Sequence, residues 1–545
     1  MEEGDEGRAA ARSAGWAVAS LGALGASVFA WVRPTNFRGY DEWLVFSLLS
    51  RGIVSFPYAN RPLNLVWALP AWALAPDRLW GFLLVHTLWL TLSGALVFLL
   101  LRRIHPGAPE LAFLAGAFTV VWAPADLTRL ASVQMIVYSG CTFGVLVSCW
   151  MLAESWRSRR ATLALAAAAA GVAAVLSLEA ALPLVVLAPF LLLACGGWRE
   201  WTRWRRWGLA WLVLMGVVAW RVMEPLWSRS AEVAYQTDVL VADRLPLLVL
   251  HRLVSQLRRH LLPLVTSPVR ELAVAAVPLA LAVFAVGFVL AVRRRAPTRS
   301  RPAPRPWALL LTGVGGLLAA ILGYLPFVLV RTHGPVRTQF LSTPGVAVLL
   351  AAALVLLTRS LPARSRLGAA CLLGGWIVAV GAGRTLALQE LWNIRSAYPA
   401  QRRTLLDLTA LAPDLEPHTL VIVLNEAQAW PFDFSFRHAV EYLYDGRARG
   451  HAADVDHLLY ETRFEPGGVV SEPLPVLRGP WHEPVERYAY GELVVFRKEA
   501  DGRLILLDAW PSELPPLAND VAYAPRSRIR TDAPPLPRLS ILARR

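Results

Sequence analysis

The sequence predicts an α-helical polytopic membrane protein of about eleven transmembrane helices, followed by a small C-terminal extracytoplasmic α/β domain. Three observations carry that prediction. The 545 residues are 56% hydrophobic and only 17% charged, with a mean hydropathy of +0.46, a balance that soluble globular classes do not reach. The apolar residues gather in runs long enough to cross a hydrocarbon core of ~30 Å, which takes roughly 20 residues of helix. From about residue 385 the composition becomes that of a soluble domain.

The runs fall near 14–32, 80–101, 110–126, 132–153, 161–178, 180–197, 207–223, 271–292, 307–330, 343–358 and 367–384. The first follows a mixed acidic and basic N-terminus without a convincing cleavage site, and is read as a retained span. Residues 62–76 are too short for a crossing and carry Pro62, Pro70 and Pro76, so an interfacial or re-entrant helix is expected there. The net charge of +15 is almost all arginine, Lys498 being the only lysine. Arg102 and Arg103, Arg157 to Arg160, Arg199 to Arg206, Arg293 to Arg305 and Arg359 to Arg366 follow alternate spans, so the charge sets membrane orientation and argues against nucleic acid. This parity predicts a cytoplasmic N-terminus, an external loop at 33–79 and an external C-terminal domain, in a cell inner (plasma) membrane.

In the connection 224–270, Leu250, Leu253, Val254, Leu257 and Leu261 recur at helical spacing opposite Arg252, Ser255, Arg258 and Arg259. The pattern predicts a helix lying on the membrane surface. Beyond residue 385, Thr419–Leu424 reads as a buried strand and Arg437–Tyr444 as a short helix. Gly491–Arg497 and Leu504–Trp510 read as a hairpin around Ala500-Asp501-Gly502. The tail after Pro511, rich in proline and arginine, is expected to run extended over the surface.

The most polar-dense segment of the hydrophobic part is Asn36-Phe-Arg-Gly-Tyr-Asp-Glu-Trp43 with its continuation to Asn64. Asp41 and Glu42 stand there near Arg38, Arg51 and Arg61, framed by Trp43, Phe46, Phe56 and Tyr58. Adjacent residues on a helix point about 100° apart, so the two acids cannot serve one cavity equally. The plain alternative is that they keep a loop hydrated. Against it stands the delivery of Arg129, Glu179, His333 and Arg337 to the same side by the predicted topology. His86 lies within an apolar run and reads as a packed core residue. The four cysteines, Cys141, Cys149, Cys195 and Cys371, all fall in apolar runs, leaving none for a disulfide in the C-terminal domain. His438, His451, His457 and His482 lack regular ligand spacing, so no metal site is assigned. No cofactor is assigned: a divalent metal ion is possible, but no ligand spacing supports one.

Four short stretches resemble motifs of the GT-C membrane glycosyltransferases, a superfamily that includes the protein O-mannosyltransferases. Tyr40-Asp41-Glu42-Trp43 is similar to their acidic motif at the start of the first external loop. Asn60-Arg61-Pro62-Leu63-Asn64, followed by Leu84-Val85-His86 and Leu101-Arg102-Arg103, is similar to an Arg-Pro-Leu segment and the helix after it. Leu176-Ser177-Leu178-Glu179 resembles a Ser-Lys-Glu stretch, with leucine where lysine is expected. Arg337 to Gly345 resembles an Arg-Tyr-Leu-x-x-Pro-x-x-Gly segment, with Thr338-Gln339 departing from it.

The resemblance implies a GT-C-like arrangement over residues 14–384. It implies sugar transfer from a polyprenyl-phosphate-linked donor to an extracytoplasmic acceptor, within a lipid bilayer. Asp41 would be general base and Glu42 its supporter. Arg61, Arg129 and Arg337 would be candidates for the lipid phosphate, with Glu179 for sugar hydroxyls and His333 as a further loop-borne group. The rival reading is a polytopic transporter or lipid flippase. Such proteins tend to carry broken helices and midplane polar groups in two related halves, and no half-repeat is evident here.

Overall fold

The computed structural model describes residues 2–32, 41–55, 61–76, 78–122, 126–130, 132–227, 246–293, 304–329, 337–455, 457, 459–474, 484–517, 521–532 and 534–543. The membrane part comprises α1 (Glu2–Phe29), α2 (Asp41–Ser50), α3 (Leu69–Leu74), α4 (Leu79–Ile104), α5 (Pro109–Val121), α6 (Met135–Ser158), α7 (Ala161–Ser177), α8 (Leu182–Val186), α9 (Leu191–Ala194) and α10 (Trp201–Trp227). It continues with α11 (Pro246–Leu261), the single turns α12 (Pro263–Thr266) and α13 (Val269–Leu272), α14 (Ala276–Arg293), α15 (Pro306–Val328), α16 (Thr343–Thr358) and α17 (Ala363–Ile394). Among the described residues, four helical stretches are long and apolar enough to cross a bilayer: Leu79–Ile104, Met135–Ser158, Pro306–Val328 and Ser365–Leu411. Seven shorter apolar helices accompany them.

The expected run 180–197 is interrupted. Pro183 and Pro189 lack the amide hydrogen that an uninterrupted helix needs, and the segment divides into α8, a 3-10 turn at Ala188–Phe190, and α9. The segment 62–76 forms a 3-10 turn, Asn64–Ala68, and the short α3, as its length and prolines suggest. Glycine brings α15 and α16 together: a Cβ at Gly316 would stand 2.7 Å from the Gly345 carbonyl oxygen, and one at Gly345 2.5 Å from the Gly316 carbonyl oxygen. A larger residue at either position would force the two backbones apart.

The arginine-bearing loops collect at one end of the bundle. Arg103 pairs with Glu154 at 2.6 Å, Arg157 with Glu154 at 2.9 Å and Arg203 with Glu200 at 2.7 Å. Arg359 reaches the Pro304 carbonyl at 2.6 Å, and His105 lies 2.6 Å from Thr312 Oγ1. Large apolar side chains such as Leu209, Val213, Val217 and Trp220 on α10 stand exposed, which suits hydrocarbon and not water.

One expectation is met only in part. In α11, Arg252, Gln256 and His260 form a buried stripe, while Leu247, Leu250 and Val254 are exposed. Arg252 donates to the Val328 carbonyl at 3.0 Å and His260 Nδ1 lies 2.6 Å from the Tyr324 hydroxyl. Leu253, Leu257 and Leu261 pack against the core beside this stripe and Arg258 and Arg259 are exposed, as the spacing predicts, while the buried polar groups find backbone and hydroxyl partners.

The C-terminal part holds α18 (Tyr398–Leu411), β1 (Thr419–Leu424), α19 (Asp433–Leu443), β2 (Ala448–Ala452), β3 (Tyr460–Glu465), β4 (Gly468–Pro473), β5 (Glu486–Tyr488), β6 (Leu493–Lys498) and β7 (Leu504–Leu506). One sheet has the order β2-β1-β6-β7, with β1 parallel to both neighbours and β6–β7 the expected hairpin; the other is the antiparallel β3-β4-β5. The change of composition near residue 385 falls inside α17, which continues to Ile394. The tail is partly embedded: Ile541 and Leu542 are buried, and their carbonyls accept from Tyr398 and Arg402.

The two parts share one core. Trp43, Phe46, Leu65, Phe82 and Ile136 from the membrane part cluster with Leu405, Val421, Phe436 and Tyr442 from the C-terminal part. The joint is α2 against α19.

Candidate active site

At the end of the bundle opposite the arginine loops, α2 begins with Asp41 and Glu42, where the exposed amides of a helix N-terminus favour carboxylates. The two acids diverge, as adjacent helical positions must. Asp41 Oδ2 accepts a hydrogen bond from the Gln134 amide, just ahead of α6, and lies 3.7 Å from Arg337 Nη1. Glu42 is 1% exposed and accepts from Ser132 Oγ at 2.8 Å. Asp41, with 23% of its side chain exposed, is reachable, and Arg337 presents 39% of its own beside it.

Arg337 Nη1 also lies 3.4 Å from the Tyr138 hydroxyl, and Tyr138 packs edge-on against Phe340 at 5.0 Å. Burial works against the guanidinium charge. Tyr138 and Asp41 outweigh it, holding the group's pKa above its ordinary value. Asp126 accepts from the Gln339 amide at 2.5 Å and fixes the backbone that carries Arg337.

A second cluster flanks α6. Arg61 forms a forked pair with Glu179, at 2.8 and 2.6 Å. Asn64 donates to the Ser177 carbonyl at 2.8 Å, and Trp67 Nε1 to Ser177 Oγ at 2.9 Å. The Trp67 ring lies against Gly140 and Gly144 of α6, where a Cβ would collide with it. The Arg-Pro-Leu segment is thereby pinned to the end of α7.

Arg129 does not join either group, a correction to its candidacy as a phosphate ligand. It is 3% exposed, and its Nη2 donates to the Thr119 and Trp122 carbonyls, both at 2.8 Å. These are carbonyls at the C-terminal end of α5, so the side chain caps that helix. It also lines a narrow cavity with Ser93, Thr128, Ser139, Phe340 and Thr343. His86 is buried, with Nδ1 3.0 Å from Ser139 Oγ, in keeping with a packed core residue. His333, Arg38, Phe56, Tyr58 and Asn60 lie outside the described residues.

The sequence reading missed Gln134 and Tyr138, which are uncharged and sit at the start of an apolar run. Their separation of four residues at a helix start was the available signal. It also missed the grip on the other end of α2. Ser47 donates to Glu441 at 2.6 Å, Arg51 lies 3.1 Å and Arg449 3.0 Å from the same carboxylate, and His438 Nδ1 lies 2.8 Å from it. Trp43 Nε1 donates to Gln401 Oε1 at 2.9 Å. Among the described residues, Asp41, on a helix held at both ends, brings a part-exposed carboxylate beside the part-exposed guanidinium of Arg337.

No protein-family model and no curated protein matches the sequence. Among the solved structures similar to the chain are two of low identity. ArnT from Cupriavidus metallidurans bound to undecaprenyl phosphate is 16% identical with a TM-score of 0.41, covering 80% of this chain and 86% of that one. The oligosaccharyltransferase of Archaeoglobus fulgidus in its apo form is 13% identical with a TM-score of 0.41, covering 80% of this chain and 64% of that one.

Proposed function

We propose that the protein is an integral membrane glycosyltransferase that moves a hexosyl or pentosyl group from a polyprenyl-phosphate donor to an extracytoplasmic protein, lipid or polysaccharide. The observation that carries this reading is the meeting of Asp41 and Arg337, nearly three hundred residues apart in sequence, as a part-exposed acid and base at one end of the bundle. Asp41 removes the proton of the acceptor hydroxyl as the anomeric carbon gains cationic character. Arg337 holds the departing lipid phosphate, for which a planar, permanently charged group is best shaped. Glu42 is buried and acts through its neighbours, keeping the first turn of α2 in place. Arg61 and Glu179 are paired with each other and serve the donor as one unit.

Residues 1–384 form the membrane part in this reading and 385–545 the extracytoplasmic domain, with a cytoplasmic N-terminus. Collection of the basic loops at the opposite end supports that orientation. A compartment-sensitive reporter fused after Arg545 should read outside. For the chemistry, Asp41→Asn in protein that still inserts should abolish transfer from lipid-linked donor in membranes; wild-type transfer by that variant would refute the base assignment.

A further inference from the structure

The sheet of the C-terminal part contains a β1–α19–β2 unit in which both strands run the same way. The connections leaving β1 and β2 therefore open at one edge, the carboxyl edge, where open α/β sheets hold ligands. Three side chains meet there: Asp433 from the first position of α19, His451 near the end of β2 and His457 from the loop beyond. Their donor atoms all lie within 4.8 Å of one another. His451 Nδ1 is 3.1 Å from Asp433 Oδ1, and His457 Nδ1 is 3.9 Å from Asp433 Oδ2. The two imidazoles stack with centroids 5.4 Å apart. Asp433 is anchored by the Ala452 amide at 2.8 Å.

A hydrogen bond accounts for the pairing of Asp433 with His451. It does not account for the second imidazole, which a separate loop brings over the other carboxylate oxygen at 3.9 Å, too long for a hydrogen bond. A cation between the three donors would satisfy all of them. Metal–ligand bonds of about 2.0–2.2 Å place neighbouring donors about 3.0–3.5 Å apart. The Asp433–His451 separation already lies in that range. The Asp433–His457 pair, at 3.9 Å, lies about half an ångström beyond it, and the His457 side chain, 35% exposed, is the one with room to move in.

We infer that Asp433, His451 and His457 form a binding site for one divalent first-row transition-metal ion, with zinc as the first choice. Two imidazoles and a carboxylate suit such ions, whereas magnesium and calcium prefer oxygen donors. The exposed side of His457 leaves a coordination position for water. The bound ion cross-links β2 and its following loop to the first turn of α19. Regular spacing along the chain could not reveal the set, because the carboxylate comes from the far end of the crossover helix.

The test is a Co²⁺ titration of the full-length chain, purified in detergent without a polyhistidine tag and stripped with chelator. The expected result is one equivalent of Co²⁺ per chain, with visible d–d absorption bands that Zn²⁺ displaces. His457→Ala and Asp433→Asn should each weaken binding at least tenfold. His457 faces solvent, so His457→Ala should melt as the metal-free wild type does, and Zn²⁺ should raise the melting temperature of the wild type alone. Absence of saturable binding by the wild type would overturn the assignment, as would undiminished binding by a folded His457→Ala protein.

Discussion

Asp41, on the first turn of α2, is part-exposed and is met by Gln134 and Arg337. Glu441, which meets the last turns of the same helix, is buried and is met by Ser47, His438, Arg51 and Arg449. Both are carboxylates beside arginines, yet they are treated in opposite ways. Glu441 is surrounded by donors and has no face left for a substrate, so its charge serves the joint between the two parts. Asp41 keeps 23% of its side chain exposed with Arg337 at 3.7 Å, and in the proposed reading that exposed side is the one that meets the acceptor hydroxyl.

If that contrast is right, substitution at the two ends of α2 should separate chemistry from stability. Asp41→Asn should lower transfer by about 10²–10⁴-fold, the usual worth of a general base, with thermal unfolding unchanged. Glu441→Ala should do the reverse. By removing the buried carboxylate that holds His438, Arg51 and Arg449 together, it should cost up to about 3 kcal/mol in the unfolding of the purified chain. A Glu441→Ala protein as stable as the wild type would remove the distinction.

The contrast also has a pH signature. Burial alone would raise the Glu441 pKa, but the hydrogen bond and charge of His438, with Arg449 and Arg51, hold it well below the ordinary carboxylate value of 4.5. A depressed folded-state pKa gives a stabilisation that is fully present above the unfolded value and fades as pH falls below it. Stability should therefore carry the full contribution of this group, without pH dependence from it, across neutral pH and lose it progressively below about pH 4.5. That acid limb should flatten in Glu441→Gln.

Arg337→Lys should raise KM for lipid-phosphate donor about tenfold while protein yield stays constant, because a point charge cannot reproduce the guanidinium fork. Steady-state kinetics against donor concentration would read this, and an unchanged KM would move the phosphate elsewhere. The smallest effect concerns Arg61 and Glu179, which are about a quarter exposed. A double-mutant cycle on thermal stability should give a coupling of about 0.5–1 kcal/mol.

The sequence disclosed what the bilayer itself dictates. Apolar runs had to be long, basic loops had to alternate, and a polar knot such as Asp41-Glu42 had to sit at an interface. Each expected run overlaps helix, but two prolines divide 180–197, 271–292 is broken between Leu272 and Ala276, and 110–126 leaves helix after Val121. The destinations of individual polar side chains were less legible. Arg129 and Arg337 look alike in sequence, but one finds the carbonyls ending α5 within reach and turns inward. The stripe of α11 is only half right, with Leu253, Leu257 and Leu261 turned to the core but Leu250 and Val254 exposed and Arg252 buried, because a hydrophobic stripe names a face without naming what that face meets. The Glu441 joint could not be seen at all, since nothing local in Ser47 or Arg51 points to a partner almost four hundred residues away.

That distance has its own consequence. Ser47 and Glu441 are separated by 394 residues, so the polypeptide has delivered all its membrane helices before it supplies the group that receives the far end of α2. Trp43 and Phe46 wait equally long for Tyr442, with which their rings pack. The helix bearing Asp41 therefore acquires its final seat only when the last quarter of the chain has emerged and folded. In biogenesis, completion of the site is a late event, with the C-terminal part acting as its closing piece.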